Sequence, residues 1–248
     1  MRELTHKQPI VNLRLFRIPA FAIGAVVMFL FGFIIQSTTQ LLPQLTQELL
    51  GYDATNAGLT LGLGGVITLF VMPIAGAVTG RLIQPKWLIM IALLGTAGAL
   101  WSAAGLNLEM SFWNVSMSRL LQVIWLPLLI IPVSTVQFVG MPPEQNSNAS
   151  AIANMMRNLG GSFGVSMATT LLAWRTQFHH ARLAEHITPF NGYGAGVPLG
   201  PIAQAVQSQA AVMSYLDVFI ALGCFALLVS PLALFLPRLP KGAALNAH

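Results

Sequence analysis

Long apolar runs alternate with short polar connections along this chain of 248 residues. Six runs stand out, at 18–42, 56–81, 87–106, 112–139, 147–174 and 214–236. A bilayer core takes roughly 20 apolar residues per helix, so each run predicts one membrane-spanning helix. The fifth is the least apolar, and its start is the least sharply marked. One connection breaks the rhythm: residues 175–213 hold a possible short helix at 177–186, a turn-rich piece at 189–201 and a polar stretch at 204–209. Proline punctuates the spans at Pro73, Pro127, Pro132 and Pro231. Each removes a backbone donor and predicts a kink. Two prolines in the fourth span suggest either a helix built to bend or a kink with no mechanical role.

Composition agrees with the pattern. The chain is 55% hydrophobic and 8% charged, with a mean hydropathy of +0.72. Soluble domains carry about 25% charged residues, so this is an all-α integral membrane protein. The net charge of +5 does not indicate nucleic acid, because the cations sit in the short connections between spans. Arg2, Lys7, Arg14 and Arg17 precede the first span, Arg81 and Lys86 follow the second, and Arg238 and Lys241 follow the sixth. The positive-inside rule therefore puts both termini in the cytoplasm. The domain plan is a cytoplasmic arm at 1–17, a six-helix bundle at 18–236 with an external loop at 175–213, and a cytoplasmic tail at 237–248. Arg175 and Arg182 in that loop run against the rule, which weakens for longer loops. The first span shows no convincing cleavage site and reads as an uncleaved helix rather than a signal peptide. The single Cys224 excludes an intramolecular disulfide.

Polar residues inside the spans are the candidates for chemistry, since ionisable groups at that depth are costly. The fifth span carries Ser147, Ser150, Asn154, Arg157 and Gly161 on one side, with Asn158 at its edge. Arg157 either faces a cavity or partner helix, or is a structural arginine satisfied by carbonyls. The first span carries Gln36, Thr39 and Gln40 on one face, lining an aqueous cavity or marking the emergence of the helix. The fourth carries Arg119 and Gln122 one turn apart. Asp217 opens the sixth span, and an Arg119–Asp217 pair is conceivable. Residues 160–164 read G-x-S-x-G, but a serine-hydrolase elbow needs a strand, a turn and a histidine base, and no histidine lies in a span. Glycines four apart explain the motif better. Gly160 and Gly164, Gly58 and Gly62, and Gly76 and Gly80 each share a helix face and let backbones approach closely. His179, His180 and His186 match no metal-site spacing and read as solvated loop histidines.

Together these pieces resemble the C-terminal half of a major facilitator superfamily transporter, more narrowly the 14-helix drug:proton antiporters of the EmrB/QacA type. The resemblance rests on residues 9–16 (PIVNLRLF), 42–48 (LPQLTQE), 51–58 (GYDATNAG), 141–145 (MPPEQ), 157–164 (RNLGGSFG) and 179–183 (HHARL). It implies a proton-driven exporter of hydrophobic compounds that uses no cofactor beyond the proton gradient. The implied partners are the lipid bilayer, the missing N-terminal half, a periplasmic adaptor and an outer-membrane channel. It also implies that the first and fourth spans line the central cavity and that the second and fifth face the other half. Gln36, Thr39, Gln40 and Gln122 then point to the substrate path, and Arg119, Arg157 and Asp217 are coupling or structural charges. Gly58, Gly62, Gly76, Gly80, Asn154, Gly160, Gly161 and Gly164 form the inter-half surface. Two departures stand out. Gly80 sits where the loop motif after the second span carries an acid, and Val123 replaces the glycine of R-x-x-Q-G. With the N-terminal half absent, the expectation is a chain that does not transport alone. The alternative is a remnant or scaffold that only associates with other membrane helices.

Overall fold

The computed structural model describes residues 13–79, 82–105, 107, 111–138, 145–187 and 199–236. Seven α-helices run through them. They are α1 (Pro19–Glu48), α2 (Ala54–Val78), α3 (Pro85–Ala103), α4 (Phe112–Val123), α5 (Pro127–Gln137), α6 (Asn146–Glu185) and α7 (Leu199–Val229). Short 3-10 turns at Leu13–Arg17 and Ser230–Phe235 flank them. Among the described residues there is no β-strand, only an isolated bridge between Thr79 and Ile83.

Local chemistry sets the helix ends. Pro19, Pro85 and Pro127 open α1, α3 and α5, where the missing N–H has no partner to lose. Asp53 caps α2 by accepting a 2.9 Å bond from the Asn56 amide. Gly51 turns the chain ahead of that cap at φ 66°, a conformation that favours glycine.

The predicted fourth span is two helices. The α-helix stops at Val123 and restarts at Pro127, with Trp125 between them. Its indole packs where a Cβ on Gly95 of α3 would sit, so a glycine notch holds the break open. The sixth span ends as an α-helix at Val229, and Pro231 leads into the 3-10 turn. Of the segment 175–213, expected as an external loop, the described residues are largely helical, while most of the turn-rich piece at 189–201 lies outside the described residues. α6 runs unbroken through Glu185, absorbing the short helix expected at 177–186, and α7 already begins at Leu199. At 40 residues, α6 is about 60 Å long, twice the roughly 30 Å hydrocarbon core. Hydropathy marks where a helix leaves the membrane, not where it ends.

Among the described residues, five helical segments are long and apolar enough to cross a membrane: α1, α2, α3, α4 with α5, and α7 with its 3-10 extension. α6, less apolar, is the sixth rod. α1 is the central helix and packs most extensively against α6, with α7 crossing α3 behind them. The main core gathers Phe31, Leu41, Leu45, Ile89, Leu100, Val133, Tyr215 and Phe219. α2 stands apart: 11% of its most apolar stretch is buried, against 61% for α1.

Candidate functional site

Among the described residues, polar side chains collect in three places. The first is buried at the junction of α1, α3 and α4. Arg119 is 6% exposed. Its Nη2 donates to Thr39 Oγ1 at 2.9 Å, and Nη1 reaches Thr38 Oγ1 at 3.5 Å. Pro43 lacks the N–H that would bond the Thr39 carbonyl, so α1 is locally loosened beside this contact. Gln122, one turn on, is 4% exposed. Both of its amide atoms lack a partner, as do Arg119 Nε and the hydroxyls of Ser116 and Ser118. A cavity of about 10 Å³ lies among Thr38, Thr96, Arg119 and Gln122, enough for about one water. The arrangement is a buried cation with donors to spare and, among the described residues, no carboxylate within ion-pairing distance.

The second place is the open face of α6. Ser150, Asn154, Asn158, Ser162, Ser166 and Thr170 recur every four residues, and all are exposed. Such a row is a helix ridge. Its 20 residues of rise span about 30 Å, the full depth of the hydrocarbon core. The hydroxyls of Ser162 and Thr170 bond back to the helix's own carbonyls at Asn158 and Ser166. The side chains of Asn154, Asn158 and Arg157 bond to no other described residue. Gln36 and Gln40 on α1 are exposed as well, and Gln36 lies over Gly161. Asn154 and Arg157 border a cleft of about 130 Å³ with Ser134, Gln137 and Ser150.

The glycines divide. Gly58, Gly62 and Gly76 on α2 are exposed, with nothing within 4 Å of an added Cβ. Gly160, Gly161 and Gly164 are not on a free face, which corrects the expectation that they meet the other half. A Cβ on Gly160 would strike the Phe29 carbonyl, one on Gly161 the Gln36 side chain, and one on Gly164 the Phe33 carbonyl. Gly32 faces the Arg157 carbonyl in return. These small residues let α1 and α6 close backbone to backbone. Gly80 lies outside the described residues. The G-x-S-x-G serine is helical, its hydroxyl engaged by its own helix.

The third place is where α6 meets α7 beyond Trp174. Asp217 Oδ2 accepts from Arg175 Nε and His179 Nε2, each at 2.6 Å. The conceivable Arg119–Asp217 pair is therefore not formed. His179, expected in a solvated loop, is 14% exposed at its side chain and seated on α6. His180 and His186 are exposed. The signal for this cluster was the i, i+4 spacing of Arg175 and His179, which shows only once α6 is extended past Trp174. Ser116, Ser118 and Gln137 were also missed, because buried hydroxyls and amides look unremarkable in a membrane helix. Asp217→Asn is expected to lower unfolding stability by only about 1 kcal/mol, since the pair is partly exposed and screened. Thermal unfolding in detergent at low and high salt checks this.

Crossing helices with a buried cation, a polar ridge and an open glycine face define a polytopic helical membrane protein. The sequence profile of the Major Facilitator Superfamily matches residues 2–165, and the chain belongs to that superfamily. It is 34% identical over 207 residues to the multidrug export protein EmrB of Escherichia coli K12, covering 84% of this chain and 39% of that protein. It is 30% identical over 232 residues to the fatty acid resistance protein FarB of Neisseria gonorrhoeae, covering 88% and 46%. The lincomycin resistance protein LmrB of Bacillus subtilis is 30% identical over 176 residues, covering 70% and 36%. The chain thus spans less than half the length of these relatives. It is a multi-pass membrane protein of a superfamily that includes multidrug efflux transporters.

Proposed function

We propose that this chain is the C-terminal half of a proton-driven multidrug efflux transporter that exports hydrophobic compounds by alternating access. The polar ridge of α6 carries the reading. The first four ridge residues, Ser150, Asn154, Asn158 and Ser162, with Gln36 and Gln40 beside them, would be costly against lipid. They suit a water-filled path. The nearly unburied α2, with Gly58, Gly62 and Gly76 open, suits a second helical body. In this reading Gln36, Gln40, Asn154 and Asn158 line the path. Thr39 and Gln122 sit behind it, and Arg119 tunes it as a fixed positive charge. The termini lie in the cytoplasm of a bacterium, and the extended ends of α6 and α7 project outward. They would stand within reach of a periplasmic adaptor and an outer-membrane channel.

The chain in proteoliposomes with an imposed proton gradient is expected to move ethidium no faster than protein-free liposomes. Co-reconstitution with the amino-terminal helices of EmrB is expected to restore gradient-dependent efflux. Efflux by the isolated chain overturns the half-transporter reading. Stable association with those helices without restored efflux favours a scaffold that only pairs with other membrane helices.

A further inference from the structure

An apolar groove of about 620 Å³ runs between α1, α6 and α7. Phe29 and Phe33 come from α1, Phe163, Met167 and Trp174 from α6, and Phe225 from α7, with Ser166 and Thr170 at its edge, the Thr170 hydroxyl bonded back to the Ser166 carbonyl. Two aromatic pairs brace it, Phe29 on Phe163 at 6.0 Å and Phe33 on Phe225 at 4.7 Å between ring centroids. Its α6 wall is open, with Phe163, Met167 and Trp174 all well exposed. The rise from Phe163 to Trp174 is about 16 Å, close to one leaflet of a roughly 30 Å core. Trp174 is 68% exposed and sits where an amphipathic ring marks the headgroup level.

One turn further on, the chemistry changes. Phe178 is held between two guanidinium groups, Arg175 at 5.0 Å and Arg182 at 5.6 Å from its ring centre. Asp217 engages Arg175 through Nε, and among the described residues neither amino group of that guanidinium has a hydrogen-bond partner. Arg182 has no carboxylate within ion-pairing distance among the described residues. A one-leaflet groove thus ends in two guanidinium groups, Arg175 paired with Asp217 through Nε alone and Arg182 without a carboxylate partner among the described residues.

We propose that the groove and the arginine pair bind an anionic phospholipid from the leaflet at the C-terminal end of α6. One acyl chain fills the aromatic groove, and the phosphate takes donors from Arg175 and Arg182. Guanidinium forks match phosphate oxygens in geometry and charge. Charge complementarity selects this occupant. A neutral drug or an apolar helix seated in the groove leaves the arginines unanswered, and a choline headgroup brings a second cation to them. Three helices of this chain build the whole site, and Ser166 and Thr170 at its edge are shared with the outer end of the α6 ridge.

The full chain is placed in nanodiscs containing dibrominated phosphatidylglycerol or dibrominated phosphatidylcholine at equal mole fraction. The Trp174 signal is taken as the difference between the chain and its W174F variant. Phosphatidylglycerol is expected to quench Trp174 more effectively by roughly fivefold or more, at about a factor of five per juxtamembrane arginine. Arg182→Gln, which leaves the Arg175–Asp217 pair intact, is expected to remove most of that preference, and R175Q/R182Q all of it. Equal quenching by the two lipids overturns the proposal, as does a preference that survives in R175Q/R182Q. Absence of quenching by either lipid also overturns it, because protein, from a second copy or another chain, would then cover the groove.

Discussion

Gly160→Ala is expected to cost the folded chain about 3 kcal/mol or more, at the upper end for overpacking, while Gly62→Ala leaves it as stable or slightly more so. The added methyl is the same, and the surroundings decide. At Gly160 the new Cβ would occupy the position of the Phe29 carbonyl, and backbone cannot rotate away as a side chain can. α1 and α6 would have to separate along a contact that also includes Gly32 and Gly164, opening the largest helix pair in the bundle. At Gly62 there is nothing within 4 Å, so the substitution gains about 0.5–1 kcal/mol of helix propensity. Thermal or SDS-induced unfolding of the two variants in the same detergent reads the difference directly. A second readout separates roles. Bulkier Gly62→Leu should leave the isolated chain folded yet weaken its association with the amino-terminal helices of a relative. If Gly160→Ala proves silent, α1 and α6 are not as close as described.

The contrast also shows what spacing reveals and what it leaves open. Glycines four apart announce a face that packs closely, and on α6 that face was legible. Which neighbour they meet is not encoded locally, because α1 and any absent helix offer the same backbone to a glycine row. Gly160 and Gly164 were therefore assigned outward when they pack inward. α1, α2, α3 and the inner part of α7 were readable because an apolar run of bilayer length permits one structure, a spanning helix. The break between α4 and α5 was only half legible. Pro127 announces a weak point, but Trp125 seated against Gly95, 30 positions earlier, decides that the chain stops and restarts there.

Depth in the membrane was more legible than partnership. Arg119, Gln122 and Thr39 stood out because each is polar within an apolar run. The bond from Arg119 to Thr39 joins residues 80 apart in sequence, and no pattern on either helix predicts it. The Arg175–His179–Asp217 cluster was hidden for another reason. The apolar run stops near Trp174, and α6 continues as a polar helix beyond the bilayer, carrying His179 to within reach of α7.

Arg119→Met is expected to raise the unfolding stability of the isolated chain by about 1–3 kcal/mol, comparable to replacing buried ionic groups with apolar ones of similar volume. The cation is 6% exposed, and its bonds are to neutral hydroxyls rather than to a carboxylate. Those hydroxyls have other outlets: Thr38 already donates to the Ile35 carbonyl, and Thr39 can do the same on α1. Methionine nearly matches the stem length, so no large cavity opens. Arg119→Ala removes the stem as well and is expected to destabilise, which separates loss of charge from loss of volume. R119M/Q122L should be more stable still, since Gln122 contributes two unsatisfied buried atoms. A residue whose removal stabilises the chain is retained for something other than folding. In the reconstituted transporter the same Arg119→Met should therefore lose gradient-dependent efflux while remaining folded. A loss of stability in Arg119→Met would mean that an anion accompanies the guanidinium in the membrane, and the site would then be a bound ion pair rather than a lone fixed charge.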